Sequence, residues 1–217
     1  MQIKFFDSLH STQEYLIAQI KSGAVDSPLC IVAKAQNRGI GSRGNEWSAV
    51  ENGLYFSFAL SLDSLPKDLK MQSMAIFFAF NFMQILRNLG SKIWLKYPND
   101  LFLGAQKIGG VLCSVAGDFA VCGIGLNLAS QNFAHLEPQI SAKLDSRKST
   151  QKLLQDYFNE TLHSSWSVVF SAYSAEFYKN YDFSFHGEND EILSLKNAEL
   201  QKDGAIKMGD KLIYCAR

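Results

Sequence analysis

The chain has 217 residues, with 21 Lys+Arg against 21 Asp+Glu and therefore no formal net charge. Apolar residues make up 47% and charged residues 19%, a folded globular composition that excludes a disordered chain. At roughly 150 residues per domain, this length predicts one domain with room for a small appendage. Such a chain buries on the order of 70% of its unfolded surface, so it needs no disulfide or metal to fold. Balanced charge argues against a duplex nucleic-acid binder, which needs Lys and Arg to neutralise phosphates. No apolar run reaches the roughly 18 residues of a membrane span; the longest, residues 74–86, is interrupted by Asn81 and Gln84. The first 20 residues lack a basic start, an apolar centre and a small-residue cleavage site, so a cytoplasmic location is expected. Cys30, Cys113, Cys122 and Cys215 lie scattered in apolar stretches and read as reduced thiols. His10, His135, His163 and His186 show no ligand spacing, so no structural metal is expected.

Residues 3–6 read as a short strand. Ser11-Thr12-Gln13-Glu14 fits a capping box, with Leu16, Ile17 and Ile20 on one helical face. Residues 29–35 form a β-branched strand, followed by a polar, Gly-rich stretch over 36–47. Residues 54–62 alternate as a strand, with Leu54, Phe56, Phe58 and Leu60 on one side. Residues 72–89 form a long apolar helix ended by Gly90. Short strands over 93–96, 101–103, 107–115 and 119–126 follow, with turns at Gly104 and at Ala116-Gly117-Asp118. Ser149 or Thr150 caps a helical region that runs to about Tyr178. From about Phe183 the tail reads as short strands around Lys202-Asp203-Gly204 and Gly209-Asp210, an appendage too small to be stable alone. Hairpins and helices rather than repeated βαβ units predict an α+β fold, with a mixed or antiparallel sheet and helices on one side.

Four segments carry candidate chemistry. In Gln36–Trp47 three glycines free the backbone to wrap an anion, and Arg38 and Arg43 supply charge. It is not a Walker loop, because it has no Gly-Lys-Ser/Thr ending and no helix follows; its plain reading is a surface loop. Lys96-Tyr97-Pro98-Asn99-Asp100 is either a turn or a site where Asp100 holds Mg²⁺ and Lys96 a phosphate. Lys107-Ile108-Gly109-Gly110 places two glycines inside a strand, which weakens it unless something must approach the backbone closely. Gly123-Ile124-Gly125-Leu126-Asn127 repeats that pattern and ends on an amide.

Together, over residues 8–128 in order and spacing, these segments resemble the biotin protein ligases. The resemblance rests on Asp7-Ser8 with Ser11-Thr12, the Gly/Arg loop ending in Trp47, Lys-x-Pro-Asn-Asp, Lys107-x-Gly-Gly and Gly-x-Gly-x-Asn. It implies the fold shared by class II aminoacyl-tRNA synthetases and biotin ligases, with a catalytic domain over 1–180 and a shortened, SH3-like β domain over 181–217. It also implies an enzyme that joins biotin to ATP as biotinyl-5′-AMP. The biotinyl group then passes to a lysine of a biotin carboxyl carrier protein, such as that of acetyl-CoA carboxylase. Implied with it are ATP and Mg²⁺, no DNA partner, no membrane, and a possible homodimer through a sheet edge.

By this resemblance Lys107 and Arg43 are catalytic. Ser11, Thr12, Gln36, Gly39, Gly41, Lys107, Gly109, Gly110 and Gly125 bind biotin. Arg43, Trp47, Lys96, Asn99, Asp100, Asn127 and Arg217 meet ATP, and Asp100 meets the metal. Phe133 is a weak candidate for covering adenine, its alternative being core packing. The chain departs from the family loop Gly-Arg-Gly-Arg-x-Gly-Arg: Ile40, Ser42 and Asn45 stand at arginine positions, Arg43 is kept and Arg38 is an added cation. Lost arginines remove charge-assisted contacts, so weaker retention of the adenylate is expected. Tyr97 replaces a common tryptophan. The first predicted strand begins near Ile3, so a ligase without an N-terminal DNA-binding domain is expected. Two alternatives stay open: a lipoate or octanoate ligase or transferase of the same fold, and a non-catalytic small-molecule-binding module.

Overall fold

In the computed structural model, residues 1–25, 28–48, 50–187 and 191–214 are described; for Arg43 only the backbone is. The order begins β1 (Gln2–Leu9), α1 (Thr12–Lys21), β2 (Leu29–Gln36), β3 (Gly39–Ile40), β4 (Glu46–Trp47), β5 (Asn52–Ser61) and α2 (Met74–Asn88). It continues β6 (Trp94–Lys96), β7 (Asp100–Leu103), β8 (Gln106–Ala116), β9 (Phe119–Ala129), α3 (Pro138–Ser141), α4 (Arg147–Leu162) and α5 (Trp166–Glu176). The tail holds β10 (Ser184–His186), β11 (Ile192–Ser194), β12 (Glu199–Leu200), β13 (Ile206–Met208) and β14 (Lys211–Ile213).

The main sheet runs β1-β2-β5-β9-β8-β7-β6, with β1 parallel to β2 and the remaining pairs antiparallel. The fold is therefore α+β with a mixed sheet, as expected. Helices cover both faces, however, not one. Phe56 and Phe58 of β5 meet Phe78 and Phe82 of α2 and Tyr157 of α4 edge-on. On the opposite face Leu16 of α1 packs with Ile31, Ala59 and Val121. Residues 53–60 of β5 are consequently buried without a break, and the alternation that places Leu54, Phe56, Phe58 and Leu60 on one side gives way to burial on both.

Helix ends follow local chemistry. Ser11 caps α1 by accepting from the Glu14 amide, 3.3 Å. Gly90, at φ +101°, ends α2 in the left-handed region. The cap of α4 is Ser146, not Ser149 or Thr150: Ser146 and Ser149 form a reciprocal capping box. The helical region also breaks, because Ser165 caps a second helix, and Asp68 accepts from the Trp166 and Ser167 amides at 3.1 and 2.9 Å.

The tail shares the main core: Phe185, Leu195, Ala198 and Ile206 belong to the same apolar cluster as α2 and β5. Three bonds tie its turn to the body. Trp166 Nε1 donates to the Lys202 carbonyl, 2.6 Å; Ser73 Oγ to that of Asp203, 2.7 Å; and Tyr97 Oη to that of Gly204, 3.2 Å. Cys30, Cys113 and Cys122 are free thiols, and burial pushes Cys30 and Cys122 up, which makes them unreactive. Cys215 lies outside the described residues. Among the described residues no helix is long and apolar enough to cross a membrane.

Arg87 of α2 grips Glu176 of α5 with two bonds of 2.9 Å, and Lys179 adds one of 2.6 Å. Burial alone would raise the Glu176 carboxyl. The Arg87 and Lys179 donors outweigh it and hold the group below its ordinary 4.5. A lowered carboxyl gives stability that is complete above the unfolded-state value and is lost as pH falls through the folded-state value. Glu176→Gln should therefore be less stable than the parent near pH 7, and the gap in denaturant midpoint should close between about pH 5 and pH 3. A gap that persists at low pH would contradict this.

Candidate active site

The site forms where α1 begins, where β2 ends and where β8 and β9 carry glycines. These elements line a narrow cleft. Of the residues singled out from the sequence, Ser11, Thr12, Gln36, Gly41, Trp47, Asn99, Lys107, Gly110 and Gly125 line it. The Gly-rich stretch is structured: β3 and β4 pair as a small hairpin around a 3₁₀ turn at Ser42–Gly44. Gly41 N donates to Asn45 O, 2.7 Å, while Asn37 and Arg38 N–H groups tie the strand exit to Leu9 and His10.

One end of the cleft is polar. The Thr12 amide donates to Gln36 Oε1, 2.7 Å, and Thr12 Oγ1 lies 3.1 Å from the same oxygen and 2.8 Å from Ser57 Oγ. An amide N–H can only donate, so Gln36 must point its oxygen there and its Nε2 toward Gly39. Gln13 Nε2 donates to Ser114 Oγ, 3.1 Å, and to the Val121 carbonyl, 3.2 Å. A carbonyl can only accept, so Gln13 turns Oε1 over Gly123, buried and without a partner. Sequence reasoning missed Gln13 and Ser57, and it marked the Gly123–Asn127 segment without giving Gly123 a role of its own. A serine inside the apolar run of β5 was a usable signal for Ser57. Gln13 looked like an ordinary second helical residue.

The other end is cationic and aromatic. The Trp47 indole lies over Gly125 and Gly110, where an added Cβ would meet it at 3.2 and 3.4 Å, and its buried Nε1 has no partner. Lys107 Nζ sits 5.4 Å from the Trp47 ring centre and 2.6 Å from Asp100 Oδ1; Lys96 Nζ lies 3.7 Å from Asp100 Oδ2.

Several expected roles change. Gly109 does not open toward the cleft: a Cβ there would meet the Gly125 carbonyl at 2.7 Å, so this glycine serves strand packing. Asn99 Nδ2 is spent on the Val111 carbonyl, 2.7 Å, and Asn127 Nδ2 on that of Ala134, 2.9 Å, although Asn127 Oδ1 is buried without a partner. Asp100 fits a protein-held Mg²⁺ poorly, because its carboxylate already pairs with two ammonium groups. Among the described residues there is no group of three or more His, Cys, Asp or Glu that could hold a metal ion. Phe133 is exposed rather than core. Gly39 backs Gln36, its position for a Cβ 3.1 Å from Nε2. The Arg43 side chain and Arg217 lie outside the described residues. Gly123→Ala would place a Cβ 2.6 Å from Gln13 Oε1. It should displace that side chain, weaken ligand binding about tenfold or more by calorimetric titration, and cost about 1–3 kcal/mol of stability by denaturant unfolding.

The pattern described as the Biotin/lipoate A/B protein ligase family matches residues 5–127, more than half of the chain. Biotin acetyl coenzyme A carboxylase synthetase from Helicobacter pylori, solved with bound biotinylated ATP, is 42% identical over 99% of both chains, with a TM-score of 0.90. The bifunctional ligase/repressor BirA of Escherichia coli is 34% identical over 56% of this chain and 39% of its own length. The biotin–[acetyl-CoA-carboxylase] ligase of Mycobacterium tuberculosis is 28% identical over 62% and 52%, so the match spans about half or less of these curated relatives. On the matched pattern and the full-length structural likeness, the chain belongs to the biotin/lipoate A/B protein ligase family.

Proposed function

We propose that this chain attaches biotin to a lysine of a biotin carboxyl carrier domain, by way of biotinyl-5′-AMP. The carrying observation is the complementarity of the cleft's polar end. A ureido ring offers two N–H donors and one carbonyl. Gln13 Oε1 and the Thr12–Ser57 hydroxyl pair can accept, and the Gln36 amide nitrogen can donate. A dithiolane ring has none of these groups and would leave buried polar atoms unpaired, which disfavours lipoate. The naming of the H. pylori relative, bound to biotinylated ATP, supports the same reading.

The chemistry needs two anions to meet. The substrate carboxylate attacks the α-phosphorus of ATP and pyrophosphate leaves. The carrier lysine amine then attacks the acyl carbon and AMP leaves. Repulsion between anions about 4 Å apart in a poorly solvated cleft is worth several kcal/mol, so a cation is required, and this reading assigns that part to Lys107, which lines the cleft. The β3–β4 hairpin walls the cleft through Gly41, Ser42 and Trp47 and limits access of water to the adenylate. In this reading residues 1–180 carry the chemistry. The tail from 181 braces the hairpin between β6 and β7 through Tyr97, and the protein acts in the cytoplasm.

Biotin should stimulate ATP–pyrophosphate exchange and lipoate should not; Lys107→Ala should lower the biotin-dependent rate about 100-fold or more. Exchange with lipoate alone, or with neither acid, would overturn the reading. Ile40 and Ser42 line the cleft, and the resemblance described above implies arginine at both positions. Preformed biotinyl-AMP should therefore leave this protein faster, by about tenfold, than a ligase with the full arginine set, in stopped-flow fluorescence.

A further inference from the structure

Asp100 begins β7 and pairs in register with Gly110 of β8, while Lys107 sits three residues earlier on β8. Its Oδ1 receives the Lys107 ammonium at 2.6 Å, the shortest ion-pair contact at the site, and its Oδ2 lies 3.7 Å from Lys96 Nζ. The Asp100 side chain is 18% exposed and that of Lys107 42%. Lys107 lines the cleft and Asp100 does not, so the ammonium is drawn toward the wall. The stem of Lys107 passes over Gly110, and its Nζ stays over the Trp47 ring. The ammonium thus sits against an aromatic face, between a carboxylate of the protein and the cleft.

From this geometry we infer that Asp100 is an internal competitor of the substrate's carboxylate for Lys107. The inference rests on the reading of the cleft as a biotin site and concerns how that site weighs its own anion against an incoming one. Binding a carboxylic acid then requires Lys107 to exchange one carboxylate for another. The exchange lowers affinity for the acid alone and leaves the ureido end untouched. A nucleotide, whose phosphates bring more negative charge to the same cations, shifts the exchange further from Asp100. In this role Asp100 acts through Lys107 rather than through a metal ion.

The experiment is titration calorimetry of the full chain with biotin and with biotinamide, whose neutral amide replaces the carboxylate. It is run in EDTA without nucleotide, for the parent, Asp100→Asn and Asp100→Ala. Both variants should bind biotin about threefold to fivefold more tightly than the parent, the size of a partly exposed ion pair, and biotinamide with unchanged affinity. In a Lys107→Gln background the gain should disappear. Thermal melting of each variant reports its fold, and Asp100→Ala guards against a defect peculiar to asparagine. Equal or weaker binding of biotin in both variants would overturn the inference, and so would equal tightening of acid and amide. A pure metal-ligand role predicts no change without divalent cation and would be read the same way. A parent that binds neither biotin nor biotinamide would instead overturn the functional reading itself.

Discussion

Burial of the sheet's centre on both faces constrains everything else in this protein. Residues 53–60 of β5 have no solvent side, since α1 lies over one face and α2 and α4 over the other. A polar group placed there must find a partner or lose about 1–3 kcal/mol. Ser57 obeys by meeting Thr12, and Thr12 in turn engages Gln36. Two buried polar atoms without a partner, Gln13 Oε1 and Trp47 Nε1, belong to residues that line the cleft. The cleft thus offers unused hydrogen-bonding capacity within a largely desolvated sheet.

Glycines make that place accessible. At Gly123 and Gly125 the strand gives up its side chain so that Gln13 and Trp47 can lie against the backbone. At Gly109 the same omission lets two strands approach. The cationic end depends on a different support. Tyr97 is fixed by Asn180 through its amide and by Gly204 through its hydroxyl, and it immediately precedes the Pro98-Asn99-Asp100 corner. The small β tail is thereby coupled to the charge cluster of Lys96, Asp100 and Lys107, although it contributes no described residue to the cleft.

Much of the fold was legible because it was local. The Ser11 cap, the Gly90 stop and the hairpin turns at Gly104 and Gly117 follow from backbone preferences of single residues. Errors arose where two local signals competed. Ser146, Ser149 and Thr150 are all capable caps, and only the reciprocal Ser146–Ser149 pairing selects the first. The second helix start at Ser165 lies in the polar run His163-Ser164-Ser165, a break that a single helix reading to Tyr178 passed over. The placing of helices on one face failed because α1 pairs with a parallel β1–β2 unit and returns across the other.

Residue types and their order along the chain determined the family resemblance, the set of elements and most of the residues that converge on the cleft. They did so because capping, turn formation and close backbone approach each demand particular side chains at particular spacings. Tertiary structure alone decided the orientation of Gln13 and Gln36, the use of Gly109 for packing, and the pairing of Asp100 with Lys107. These depend on which atoms of distant segments come within about 3 Å, a distance that spacing along the chain does not encode. The formal neutrality of the chain is the clearest case. It says nothing of the two lysines that share one carboxylate beside the cleft.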